Sequence, residues 1–209
     1  MTAPWTPLPL AAPGVTPQRV LTVAGSDSGG GAGIQADLRS FALLGVHGCV
    51  AVTAVTVQNS TGVSGVQRID PAIVAAQITS VTADIGVGAV KTGMLADGEV
   101  AVAVADAFRA AGIGAGRAVP LVVDPVCASM HGDPLLAPSS LSTLIDRLFP
   151  VATLVTPNLD EVRLITGIEV TDEASQREAA RALHRLGPRW ALVKGGHLRG
   201  STHSPDLLY

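Results

Sequence analysis

Residues Val20–Leu44, VLTVAGSDSGGGAGIQADLRSFALL, constrain the fold more tightly than any other stretch. The apolar run Val20 to Ala24 has the length and β-branched content of a buried strand. It runs into Gly25–Gly33, where five of nine residues are glycine, too many for helix or sheet. Beyond it, Ile34, Leu38, Phe41 and Leu44 fall on one helical face. Strand, glycine loop and helix N-terminus together bring backbone amides close to a small ligand. A tight turn that merely packs helix on sheet is the simpler alternative. Two familiar versions of the motif fail. A P-loop ends in Gly-Lys-Ser/Thr, and the stretch has no lysine. A dinucleotide fingerprint needs G-x-G-x-x-G, and Ile34 stands where its last glycine belongs.

The same alternation continues along the chain. Apolar strands are expected at Cys49–Val57, Val87–Thr92, Leu121–Pro125, Thr153–Thr156 and Trp190–Lys194, with a further one begun at Asp206–Tyr209. Helices are expected from Pro71, at Glu99–Ala111, Ser139–Phe149, Leu159–Thr166 and Glu173–Leu186. Gln58–Gly62 and Cys127–Pro134 read as loops. Repeated β-α order with nearly continuous apolar strands predicts a single α/β domain, a mostly parallel sheet with helices on both faces. Ligands of such sheets bind beyond the carboxyl ends of the strands. Polar and glycine signals gather at those ends: Gly25–Gly33, Gln58, Gly93-Met94, Asp124, Asn158 and Lys194.

Composition narrows the function. A net charge of -3 argues against nucleic acid or an anionic membrane as the main partner. No run is long and apolar enough to span a bilayer. Two cysteines, Cys49 and Cys127, make no disulfide framework and fit a reducing cytoplasm. Residues 1–18 are proline-rich, lack a signal-peptide pattern and read as a disordered extension to a domain spanning 19–209.

Several side chains at the rim can carry chemistry. Lys194, one of two lysines in the chain, closes a strand before two glycines, a setting that suits a phosphate as well as an ordinary surface lysine. Lys91 lies inside an apolar strand and needs a carboxylate partner, Asp124 or another at the rim. Asn158 and Glu161, three apart at a helix start, fit either a capping box or a water-rich Mg²⁺ site. Gln58 offers a donor and an acceptor that match an aminopyrimidine edge, or it is a turn residue. Asp37 either favours its helix dipole or accepts a substrate hydroxyl. Cys127 and His131 share a loop without the partners of a metal site or a nucleophile.

Six stretches in one order carry a resemblance: AGSDSGGGAGIQADL at Ala24–Leu38, TAVTVQN at Thr53–Asn59, KTGML at Lys91–Leu95, VVDPVCASMHGDPLL at Val122–Leu136, TPNLDE at Thr156–Glu161 and VKGGH at Val193–His197. Together they resemble the hydroxymethylpyrimidine/phosphomethylpyrimidine kinases of thiamine synthesis. The resemblance implies a ribokinase-like sandwich, commonly homodimeric. It implies transfer of phosphate from ATP, with Mg²⁺, to 4-amino-5-hydroxymethyl-2-methylpyrimidine and then to its monophosphate. Gln58 would bind the pyrimidine, and Gly25, Ala32, Asp37, Met94 and Val126 would line or close its pocket. Asn158 and Glu161 match an N-x-x-E element that positions Mg²⁺, Lys194 the lysine near the ATP phosphates, and Asp124 a rim aspartate that organises metal and phosphate. The first glycine loop would then face the pyrimidine rather than the nucleotide.

The family's G-x-G-C/D segment, which supplies an anion hole and the group that activates the acceptor oxygen, follows some way after K-G-G-H and is not among these residues. The expectation is therefore a C-terminally truncated chain with no readable catalytic base, able to bind a pyrimidine but poor at phosphorylating it. A pyridoxal kinase, a non-catalytic pyrimidine binder and a dinucleotide oxidoreductase are the competing readings; the failed fingerprint counts against the last.

Overall fold

The computed structural model describes residues 9–127, 138–196 and 204–209. Its main sheet has seven strands: β1 (Arg19–Ala24), β2 (His47–Val52), β5 (Ala89–Thr92), β6 (Leu121–Val123), β7 (Leu154–Val155), β8 (Trp190–Val193) and β9 (Leu207–Leu208). They lie in the order β2-β1-β5-β6-β7-β8-β9. All neighbours are parallel except β8 and β9, which run antiparallel. Among the described residues six α-helices accompany the strands: α1 (Gly33–Leu43), α2 (Pro71–Ser80), α3 (Gly98–Ala110), α4 (Pro138–Leu148), α5 (Leu159–Thr166) and α6 (Glu173–His184). This is the mostly parallel α/β sheet expected from the alternating pattern.

One core serves the whole sheet. Leu21, Val23, Val90, Leu121 and Val123 pack against Val74 and Ile78 of α2, Val104 and Phe108 of α3 and Leu144 of α4, all buried. Burying side chains of this size contributes roughly 1.5–3 kcal/mol each. The intervening residues of the central strands, Thr22 and Lys91, point to the opposite face, where Asp37 of α1 meets them. Helix α1 buries no residue fully, and Leu44, expected on its apolar face, is its exposed C-cap.

The helix starts follow local chemistry. Asp70 and Asp97 accept from the amides of Ala72 and Val100, and Pro71 occupies the first turn of α2, where it forfeits no hydrogen bond. A π-helical turn, Val81–Ile85, extends α2 toward β5.

The expected single strand Cys49–Val57 is two strands in two sheets. The chain leaves the main sheet at Thr53, whose amide bonds to Ala24 and whose hydroxyl donates to the Met94 carbonyl at 2.6 Å. It continues as β3 (Ala54–Asn59), which pairs with β4 (Gly62–Arg68) in a separate antiparallel hairpin. Of the polar loop expected at Gln58–Gly62, Gln58 and Asn59 end β3 and Gly62 begins β4, so only Ser60 and Thr61 form the tight turn of this hairpin. Nothing in the run marks the break, because Thr53 has the same β propensity as its neighbours. Of the expected extension at 1–18, residues 1–8 lie outside the described residues. So does most of the Cys127–Pro134 loop, including His131.

Candidate active site

The chain leaves β1 toward β2 on one side and leaves β5 toward β6 on the other. The carboxyl ends of β1 and β5 therefore form a topological switch point, where crevices open in sheets of this kind. A cavity of about 590 Å³ sits there, walled by the glycine loop, the β3–β4 hairpin and the ends of β5 and β6. That volume suits a small heterocyclic ligand.

Asp27 builds the loop. Its carboxylate is buried and accepts three backbone amides at 2.8 Å: Gly29 on Oδ1, Gly31 and Ala32 on Oδ2. The loop is thus a fixed wall. Glycine is required at Gly33, with φ of +56°, where a Cβ would stand 2.5 Å from the Gly25 carbonyl oxygen. Ser28 ties the loop to the hairpin: its hydroxyl donates to the Gln58 carbonyl at 2.6 Å and accepts from the Gln58 amide at 2.8 Å.

Gln58, Gly25, Ala32, Asp37, Met94, Val126 and Asp124 all line this cavity. Gln58 is held by its backbone, and among the described residues its side chain takes only a 3.3 Å contact from the Thr56 hydroxyl, leaving its amide for a ligand. Lys91 finds its partner in Asp37, with Nζ 3.0 and 2.9 Å from the two carboxylate oxygens, and Thr22 donates to the same carboxylate at 2.6 Å.

Beyond the cavity stands a second charged group. Lys194 Nζ donates to Asp124 Oδ1 at 3.0 Å, and the Thr156 hydroxyl donates to the same oxygen at 3.1 Å. Lys194 is placed by its own amide, bonded to Pro157, and by a bridge to Asn158. Asn158 and Glu161 form a reciprocal capping box: each side chain accepts the other's amide at 2.8 Å. Burial, helped by the nearby Asp124 charge, pushes the Glu161 carboxyl up to about 7 against the opposing Asn158 amide, Lys194 and Cys127 amide. Burial likewise pushes the Cys127 thiol up to about 12, and its Sγ donates to the Pro125 carbonyl at 3.0 Å, so it is a protonated spectator rather than a nucleophile.

Among the described residues no three His, Cys, Asp or Glu side chains converge as a metal cluster. Asp124 and Glu161 are nonetheless the donor set Mg²⁺ uses, one or two carboxylates completed by water and substrate phosphates. A carboxyl held at about 7 beside another negative charge is one that a divalent cation would relieve.

The structure therefore gathers Gln58, Gly25, Ala32, Asp37, Met94, Val126 and Asp124 into one cavity, with Lys194, Asn158 and Glu161 at its adjoining rim. Sequence reasoning missed Asp27 and the hairpin residues Asn59, Ser60, Gly62 and Val63, which also line the cavity. Asp27 had a usable signal, since an aspartate entering a glycine run is the residue that folds such loops onto its own carboxylate.

Sheet order and switch-point cavity are those of the ribokinase-like α/β kinases, and solved structures agree. A phosphomethylpyrimidine kinase from Clostridium difficile superposes with a TM-score of 0.82 at 37% identity, covering 92% of this chain and 84% of that one. A pyridoxal kinase from Staphylococcus aureus, solved with AMP-PCP and pyridoxal, gives 0.80 at 32% identity, covering 93% and 68%. A sequence model of the phosphomethylpyrimidine kinase family matches residues 27–209, and the chain belongs to that family of kinases. The hydroxymethylpyrimidine/phosphomethylpyrimidine kinase of Mycobacterium tuberculosis is 65% identical over 202 residues, which are 97% of this chain and 72% of that relative.

Proposed function

We propose that the chain serves thiamine synthesis by moving phosphate from ATP to the hydroxymethyl oxygen of 4-amino-5-hydroxymethyl-2-methylpyrimidine, and then to the resulting monophosphate to give the diphosphate. The observation that carries this is the continuity of one cavity from Gln58 to Asp124. Gln58 offers the donor–acceptor pair an aminopyrimidine edge needs. Met94 closes the cavity over Gly25, and Asp37 is poised to accept the hydroxymethyl proton in a hydrogen bond. At the other end Lys194 and Asp124 meet the ATP phosphates, with Asn158 and Glu161 beside them. Mg²⁺, held through Asp124 and Glu161, would neutralise the phosphate charge.

In this reading the site residues position and neutralise, which is most of what phosphoryl transfer asks of a protein. The proton acceptor for the hydroxymethyl group belongs to the family's G-x-G-C/D segment. A homodimer working in the cytoplasm completes the reading. Two free cysteines, both buried, fit a reducing compartment.

Calorimetric titration with the hydroxymethylpyrimidine tests the cavity. Release of ADP from Mg-ATP tests transfer, on this chain and on the chain extended by the C-terminal segment of the Mycobacterium tuberculosis relative. Binding by both, with efficient pyrimidine-dependent ADP release by the extended chain, is expected. A chain that binds pyridoxal and ignores the pyrimidine overturns the substrate assignment.

A further inference from the structure

The protein has two lysines, Lys91 and Lys194, and both stand on aspartates that line the same cavity. Lys194 lies at the rim. Lys91 sits deeper, on the wall, with its side chain 24% exposed and that of Asp37 16% exposed. An ammonium has three donors. Among the described residues the acceptors of Lys91 are the two oxygens of Asp37, which leaves a donor for a ligand. The space beside it is kept open by Gly93, where a Cβ would stand 3.1 Å from Lys91 Nζ. Asp37 does not depend on Lys91 alone, because Thr22 also donates to it.

Resting on the function proposed above, the two acceptors set a problem of charge. The first is a neutral alcohol. The second carries a phosphate monoester on the same carbon, about -1.5 to -2 at neutral pH, and must enter a cavity already walled by Asp37 and Asp124. Like charges at such distances repel strongly where water is scarce.

We propose that Lys91 is the residue that admits the second acceptor. With the alcohol bound, its ammonium stays on Asp37. With the monophosphate bound, rotation of its flexible four-carbon stem carries the ammonium onto the ester's phosphate oxygens, while Thr22 continues to hold Asp37. Lys91 thereby sets specificity between two acceptors that share every contact to the ring. No covalent bond changes in this exchange; one charge-assisted hydrogen bond replaces another.

The test is calorimetric binding of the hydroxymethylpyrimidine and of its monophosphate to the wild-type chain, Lys91→Met and Lys91→Arg. In Lys91→Met the ratio of monophosphate to alcohol affinity should fall about 10–100-fold, the worth of a hydrogen bond to a charged group. Lys91→Arg, which keeps the charge, should restore much of that ratio. Lys91→Met strands the Asp37 charge and can unfold the wall. Asp37→Asn is therefore compared with Asp37→Asn/Lys91→Met, in which no buried charge is left alone, and the same fall in ratio is expected between them. An unchanged ratio in both comparisons overturns the proposal while leaving the pyrimidine site intact. A wild-type chain that binds neither compound overturns the site assignment itself, and this inference with it.

Discussion

Gly25 and Met94 interlock just beyond the ends of the paired strands β1 and β5. The Gly25 amide donates to the Met94 carbonyl at 3.1 Å, and a Cβ on Gly25 would stand 2.5 Å from Met94 Cε. The methionine tip thus occupies the space that any side chain at position 25 would claim, and the two together shape the cavity roof.

Gly25→Ala should therefore act on the pocket more than on the fold. The obstructing atom is the far end of a flexible side chain, which can rotate away. Melting temperature should change little, while pyrimidine affinity falls about tenfold, the cost of roughly one misplaced contact. Gly25→Ala/Met94→Ala, which removes the obstructing tip, should not recover affinity. A single variant that binds as well as wild type shows that the Met94 position is not needed.

Gln58→Ala should cost roughly 1–3 kcal/mol of pyrimidine binding, the loss of hydrogen bonds to a buried ligand edge. Among the described residues its side chain has only the 3.3 Å contact with Thr56, and its backbone bonds to Ser28 survive the substitution. Thermal melting should be nearly unchanged. A collapse in stability with normal affinity in the folded fraction would reassign Gln58 to the hairpin.

Asp27→Asn probes the glycine loop. Oδ1 accepts one amide and Oδ2 accepts two. An amide side chain turns one of those positions into a donor facing donors, so at least one backbone N–H loses its partner whichever way it is oriented. Stability should drop by on the order of 2 kcal/mol, and hydrogen exchange at Gly29, Gly31 and Ala32 should quicken. Unchanged exchange at all three would show that the loop holds itself.

Glu161→Gln separates the helix cap from the charge. The folded carboxyl, at about 7, lies above its ordinary 4.5. The folded chain therefore holds this proton more tightly than the unfolded chain, and the stability contributed by the group falls as pH rises from about 4.5 to about 7. Glutamine keeps an oxygen for the Asn158 amide and has no charge to bury. In metal-free buffer the variant should gain on wild type across that window, by on the order of 3 kcal/mol at pH 8. A variant that loses ground as pH rises would mean the carboxylate is stabilised, not strained, in its site. With the extended chain and Mg-ATP, the same substitution should sharply reduce turnover.

The sequence by itself determined the parallel sheet, the rim where its polar strand exits meet and most of the residues gathered at that rim. Continuous apolar strands such as Leu121–Val123 can only be buried on both faces. A glycine loop, an aspartate and a lysine at successive strand exits necessarily share one rim. Chain-local chemistry was equally readable: Asn158 with Glu161 three residues on is a capping box because both partners lie within one helical turn. What only the tertiary structure decided are pairings between segments far apart in the chain. Nothing local to Lys91 distinguishes Asp37 from Asp124; the choice follows from the strand face on which Lys91 emerges and from α1 crossing that face. Likewise the break after β2 is seen only in the assembled sheet, where the Thr53 amide bonds to Ala24 of β1 and its hydroxyl donates to Met94 just beyond β5. Side-chain patterning fixes which way a residue points, but its partner is set by strand order, and strand order is a property of the assembled sheet.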